Sequence, residues 1–231
     1  MDRKKFLKKG LLGLGTIVAL PTVASSCSEK EGDNGLDFSA SACELSPRET
    51  AGPFPNKTPA DLARENIISD RTGVPLLISL TVVDQSNDCS PLAAVFVDVW
   101  HCDAQGYYSQ YGGSGLQPTD LTDKDFLRGR QTTDSNGRVS FISIFPGWYP
   151  GRAPHIHLEV RDASENSIRV SQIAFPKEIC DSVYETNEYK GEADTLNTRD
   201  GVFVNSLDGN MADELSGNIT DGYTLKKTII V

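Results

Sequence analysis

The chain predicts an all-β fold, a β-sandwich with long site-forming loops and few short helices. Three observations carry that prediction. Short apolar runs rich in Val, Ile and Leu recur, Gly, Asn, Asp and Pro punctuate them, and no helical pattern alternates with them in a βαβ rhythm. The 231 residues allow one sizeable core, and 38% hydrophobic against 23% charged residues is a globular composition.

In chain order, residues 1–26 read as an export signal. Arg3, Lys4, Lys5, Lys8 and Lys9 precede the apolar run Leu11–Ala24, which is short for a membrane span. Ala24-Ser-Ser26 before Cys27 resembles a bacterial lipoprotein cleavage box, making Cys27 the candidate lipidation site. The alternative is an ordinary secretory peptide with an incidental Cys27. Arg3-Lys-Lys-Phe-Leu-Lys8 also resembles a relaxed twin-arginine signal. Residues 27–42 are acidic and polar with nothing to bury, and read as a tether behind the lipid anchor. The expected location is the cell envelope, on the periplasmic side or the cell surface of a bacterium, with the membrane reached through that anchor.

Residues 43–231 form the expected globular domain. Glu49-Thr-Ala-Gly-Pro-Phe-Pro55 has loop chemistry, and Ala60–Ile67 suits a short helical turn. Leu76–Asp84 and Ala93–Trp100 are apolar, β-branched runs parted by Ser86-Asn-Asp-Cys89, which predicts two neighbouring strands. The polar, Gly-rich stretch 109–128 predicts a long loop of the kind that builds sites. Further strands are expected at Arg138–Ile144, following an Asp134-Ser-Asn-Gly137 turn, and at His155–Arg161, Ile168–Phe175 and Thr224–Val231. From Pro176 to Gly222 the composition suits loops and short helices.

The formal net charge is -10, and the basic residues of the export signal make the body that follows more acidic still. Such a surface excludes nucleic acid as a natural partner, since phosphate binding needs a basic footprint. With Cys27 assigned to lipid, Cys43, Cys89, Cys102 and Cys180 remain for an oxidising compartment. Cys89 and Cys102 flank one strand run and are the favoured bridge, with buried thiols as the alternative. Close Cys spacing of the zinc-site type is missing.

The chemistry concentrates in Pro146-Gly-Trp-Tyr-Pro-Gly-Arg-Ala-Pro-His-Ile-His157. The chain has 3 histidines, and His155 and His157 stand at i and i+2 on an expected strand, so both imidazoles face one way while Ile156 and Leu158 face the other. Tyr149 and Arg152 lie just upstream. By themselves these residues are equally compatible with buried structural histidines and a half-buried tyrosine.

The surrounding motifs decide between those readings. Thr50-Ala-Gly-Pro-Phe54, Val97-Asp-Val-Trp-His-Cys-Asp-Ala-Gln-Gly-Tyr-Tyr-Ser109, Arg128-Gly-Arg-Gln-Thr-Thr-Asp134, Gly137-Arg-Val-Ser-Phe141 and the stretch ending at His157 occur in this order. Together they resemble the intradiol ring-cleavage dioxygenases, non-haem ferric enzymes that open catechols between the two hydroxyls with O2 and yield cis,cis-muconate-type dicarboxylates. The resemblance implies Fe(III) held by Tyr108, Tyr149, His155 and His157, with Tyr108 preferred over its neighbour Tyr107. It implies that Tyr149 serves as a base when displaced, that Arg152 stabilises negative charge developing on the substrate, and that Gln172 lines the pocket. Thr50, Gly52 and Pro53 match a loop near the substrate. His101 is expected to be structural.

Two phenolates and neutral imidazoles suit a small trivalent ion, whereas zinc or copper would call for more His, Cys or carboxylate donors. The expected partners are a catechol-type small molecule, O2 and, since family members often oligomerise, a second copy of the chain. With leader and tether set aside, the long N-terminal helical region of some catechol-cleaving members has no counterpart, so the chain resembles the short exported members. The competing expectation is a non-catalytic exported β-sandwich lipoprotein that binds aromatic diols or ferric iron. A serine hydrolase is disfavoured by the lack of a Gly-x-Ser-x-Gly elbow.

Overall fold

A computed structural model describes residues 43–113 and 115–231. The expected export signal, Cys27 and the tether lie outside the described residues.

Two sheets pack face to face. One is four-stranded, in the order β4 (Arg128–Thr132), β3 (Phe96–Trp100), β6 (His155–Arg161), β7 (Ser167–Ala174), all antiparallel. The other is five-stranded and built around β1 (Pro75–Asp84), with β5 (Arg138–Ile144) and the short β2 (Ser90–Pro91) on one side and β9 (Gly222–Ile230), then β8 (Glu214–Asn218), on the other. Among the described residues, helix α1 (Lys177–Tyr184), the single turn α2 (Leu207–Asn210) and three short 3-10 turns join the strands.

Strand alternation builds the core. Leu76, Ile78, Leu80 and Val82 of β1 and Phe141 of β5 meet Val97, Val99, Ile156, Leu158, Val160 and Ile173 from the four-stranded sheet in one buried cluster. Each such side chain stabilises the fold by about 1.5–3 kcal/mol through burial. The same alternation turns His155, His157 and Glu159 to the opposite face, yet these too are buried. Loops close over that outer face, and the short 3-10 turn Pro59–Leu62 packs beside β4, where Ala63 bridges Arg130.

Three expectations are corrected. The runs Leu76–Asp84 and Ala93–Trp100 belong to different sheets rather than pairing. The chain leaves β1 between Leu92, whose N–H still donates to Val82 O, and Ala94, whose N–H donates to Thr133 O in the other sheet. Ala94 adopts φ 59°, a left-handed step that redirects the backbone. Because the run changes sheets, its flanking cysteines separate: Cys89 bridges Cys43, while Cys102 and Cys180 are buried free thiols. Finally, Arg128, the last residue of the loop expected at 109–128, begins the strand Arg128–Thr132, whose other residues carried no strand expectation. Its polar residues gave no apolar alternation, and Gly129, its second residue, leaves room for Ile67, which would collide with a Cβ there, and for Phe141 close by. The polar strand β8 escaped notice for the same reason.

Candidate metal centre

One row of directly paired residues crosses the four-stranded sheet: Arg128, Trp100, His157 and Gln172. Cross-strand partners face the same way, so these side chains stand together on the outer face. Trp100 stacks flat on His157, with ring centroids 5.0 Å apart and planes within 2°. His155 enters from the start of β6, and its Nε2 lies 3.1 Å from Nε2 of His157.

That convergence is chemically informative. His155 Nδ1 lies 2.6 Å from Ala153 O, which fixes the Nδ1–H tautomer and leaves Nε2 as a lone-pair donor. Burial depresses both imidazoles, His155 to about 3 and His157 well below its ordinary value, so both are neutral near pH 7.

The tyrosines enclose the same space. Tyr108 is fully buried, its ring 6.3 Å from His157 and 5.7 Å from Tyr149, and its hydroxyl has no hydrogen-bond partner. Tyr149 lies 5.6 Å from His155, ring to ring, and its hydroxyl accepts from Arg152 Nη1 at 3.2 Å. Burial raises Tyr108 well above an ordinary phenol and pushes Tyr149 up to about 12, with Arg152 opposing the rise. A buried phenol with an orphaned oxygen is costly unless something binds it. Two facing imidazole nitrogens, one orphaned phenol and a second phenol fit a hard trivalent cation. Among the described residues no group of three or more His, Cys, Asp or Glu could hold a metal, so this mixed set is a different kind of donor cluster.

Tyr108 and Tyr107 lie in the loop after β3 rather than on a strand, but they diverge as expected: Tyr107 is 37% exposed and Tyr108 0%. Gln117 locks Tyr108 in place, its amide accepting from Tyr108 N and donating to Tyr108 O, both at 2.7 Å. His101 lies apart from this cluster, its ring nitrogens engaged by Cys102 O and Ser143 Oγ.

The loop Thr50–Phe54 closes the site from above. Gly52 has φ +70°, and a Cβ there would fall 2.8 Å from His157 Cε1, so the close approach needs glycine. Thr50 O accepts from Gln172 Nε2 at 2.9 Å, while Thr50 Oγ1 caps Gly52 N. Pro53 is exposed on the same loop. Gln172 also accepts from Arg152 Nη2, so Arg152, Gln172 and the loop form one chain of contacts.

Three further contributors were not singled out from the sequence. Arg128, fully buried, donates to Ser109 Oγ and O, Phe54 O and Asn56 Oδ1, tying the Tyr108 segment to the Thr50–Phe54 loop. Burial draws it down to about 10. Its position inside a family motif was the only signal. Gln117 and Asp200 sit in polar stretches where nothing local distinguishes them.

Comparison with known proteins agrees with this geometry. A family model described as dioxygenase matches residues 51–186. Catechol 1,2-dioxygenase 1 of Acinetobacter lwoffii is 32% identical over 149 residues, covering 62% of this chain and 44% of the relative. The protocatechuate 3,4-dioxygenase beta chain of Burkholderia cepacia is 32% identical over 112 residues, covering 45% and 46%. The chain thus spans about half the length of these relatives. Among solved structures, an intradiol ring-cleavage dioxygenase from Tetranychus urticae superposes with TM-score 0.73 at 29% identity, covering 81% of this chain and 94% of that one. The dioxygenase domain of a carbohydrate-binding fusion from Streptomyces gives TM-score 0.59 at 25% identity, covering 81% and 98%. With the family model spanning more than half the chain, and the outer-face cluster of two histidines and two tyrosines in place, the protein belongs to the intradiol ring-cleavage dioxygenase family.

Proposed function

We propose that this protein is a ferric dioxygenase that cleaves a catechol-type ring between its hydroxyls with O2, giving a cis,cis-muconate-type dicarboxylate. The observation that carries this reading is the convergence of His155 Nε2 and His157 Nε2, 3.1 Å apart, beside the buried, partnerless hydroxyl of Tyr108. Tyr108, Tyr149, His155 and His157 would hold the iron. When bound, ferric iron would supply a Lewis-acidic centre that gathers the diol and makes its ring reactive toward O2.

The chain's own residues divide the remaining work. Tyr108, buried and clamped by Gln117, is the fixed phenolate. Tyr149 is the one the resemblance makes displaceable, and its high proton affinity suits its oxygen to take a proton from a substrate hydroxyl. Arg152, 12% exposed at its side chain and hydrogen-bonded to Tyr149, directs positive charge at the place where the ring would become negative. Gln172 holds both Arg152 and the loop above. Trp100 keeps the His157 ring flat and in register.

Visible absorption and iron content of one purified sample test the proposal. A charge-transfer band that shifts on anaerobic addition of catechol, followed by O2 uptake and muconate formation, is expected. A sample that stays colourless after iron reconstitution would sink the ferric reading, and binding without turnover would favour the non-catalytic alternative.

We further propose that residues 1–26 direct export and that Cys27 carries a lipid, so that the acidic segment to residue 42 tethers the domain at the cell envelope. The motivation is the sequence of basic residues, apolar run and small residues before Cys27. Cys27→Ser should release the protein from the membrane fraction, and unchanged fractionation would refute lipidation.

A further inference from the structure

Asp200 lies beyond the family-matched residues 51–186, at the end of the 3-10 turn Asn197–Arg199, and is completely buried. Its carboxylate receives four N–H contacts and makes none as a donor. Arg152 Nε donates to both oxygens, at 3.0 and 2.8 Å. Ala153 N donates to Oδ2 at 2.8 Å and Val202 N to Oδ1 at 2.9 Å. Only a carboxylate satisfies this arrangement, because an amide would present its own N–H groups to at least one of these donors.

The contacts reach two parts of the site. Holding the Nε edge of Arg152 leaves its Nη1 and Nη2 edge directed at Tyr149 Oη and Gln172 Oε1. Phe203 packs under the guanidinium, 5.5 Å from it, and edge-on to His155 at 6.3 Å, so Arg152 is gripped from its edge and its face by one loop. Holding Ala153 N fixes the residue whose carbonyl sets the tautomer of His155.

We infer that Asp200 is the positioning residue of Arg152: a buried carboxylate, supplied from outside the family-matched region, that fixes the guanidinium edge facing the substrate space. The catalytic consequence rests on the function proposed above. The positional one does not, and the two can be tested separately.

In the metal-free protein, NMR should show the Arg152 Nε–H among the slowly exchanging arginine resonances, beside those of the buried Arg128 and Arg130, and identified by its loss in Arg152→Gln. Asp200→Asn should abolish its protection. In the iron-loaded protein with catechol, Asp200→Asn should lower kcat about 10- to 100-fold, as loss of a supporting contact does, with KM changed less than about 3-fold. The double variant should be no slower than Arg152→Gln alone, because Asp200 acts through Arg152. A freely exchanging Arg152 Nε–H in the wild type, unchanged kcat in Asp200→Asn, or losses that multiply in the double variant would each overturn the inference. Should the wild type fail to turn over catechol, the functional reading falls while the exchange measurement still decides whether Asp200 locks Arg152.

Discussion

Two rows of side chains run side by side across the outer face of the four-stranded sheet. Arg130, Asp98 and Glu159 form one, and Arg128, Trp100, His157 and Gln172 the other, from the same strands two residues along. In the first row every charge is matched. Arg130 forks onto Asp98 at 2.6 and 2.7 Å and reaches Glu165, while Arg161 pairs with Glu159. In the second row matching fails. Arg128 is buried with only neutral acceptors, and Trp100 Nε1, His157 Nδ1 and the nearby Tyr108 hydroxyl have no partner. Donors without a hydrogen bond also occur at Arg161 Nε and Arg169 Nε, but the Tyr108 hydroxyl is the orphan that stands beside the converging histidines.

The largest effect should come from breaking the second row at its centre. If the proposed iron site is right, His157→Ala should abolish iron retention and Tyr108→Phe should shift or abolish the charge-transfer band, measured by metal analysis and absorbance, while the fold persists by circular dichroism. An unshifted band with full iron content in Tyr108→Phe would remove Tyr108 from the proposed ligand set, since Tyr149 alone cannot give the same band.

Replacing each row's arginine sharpens the contrast. Arg130→Met leaves the buried Asp98 carboxylate with only the 3.4 Å contact to Arg161 Nε and should destabilise the protein by about 3–5 kcal/mol in urea titrations. Iron uptake by the folded fraction should be unchanged. Arg128→Met strands no charge, so its loss should be smaller, about 1–3 kcal/mol for the abandoned acceptors, yet iron affinity should fall because the Tyr108 segment and the loop above come loose. Equal effects on iron from both variants would erase the distinction between the rows.

Acid acts on His157 of the second row, on His155 beside it and on the separate buried His101. Burial holds His101 down to about 4 and His155 to about 3, with His157 also depressed. Each gains its proton only on unfolding, so metal-free stability is present above about pH 6.5 and declines as pH falls toward the folded values, by up to about 1.4 kcal/mol per pH unit per histidine. Urea midpoints at successive pH values check this. A flat profile between pH 7 and 5 would mean the histidines are hydrated.

Gly52→Ala probes the approach of the loop to His157. A methyl group meeting Cε1 and a left-handed backbone together should cost about 1–3 kcal/mol and weaken iron binding. Tyr107→Phe, on an exposed ring, should change stability by less than about 0.5 kcal/mol and leave the spectrum alone.

Most of the site was legible because its parts are local. His155 and His157 are fixed on one face by strand period, and Tyr149 and Arg152 precede them by a few residues. Tyr108 and the Thr50–Phe54 loop were legible only as motifs, since nothing in their spacing brings them to His157. The apolar strands announced themselves by composition, whereas Arg128–Thr132 did not, because its arginines serve a buried polar face that no hydropathy pattern encodes.

The sequence by itself determined the sandwich and the family and named the candidate donors, through strand alternation, residue chemistry within short windows and motifs met in family order. Tertiary structure alone decided which cysteine meets Cys43, which sheet receives Phe96–Trp100, and that Asp200 meets Arg152. Those outcomes join residues far apart in the chain, and they are settled by where loops cross between layers and which buried charges must find a partner.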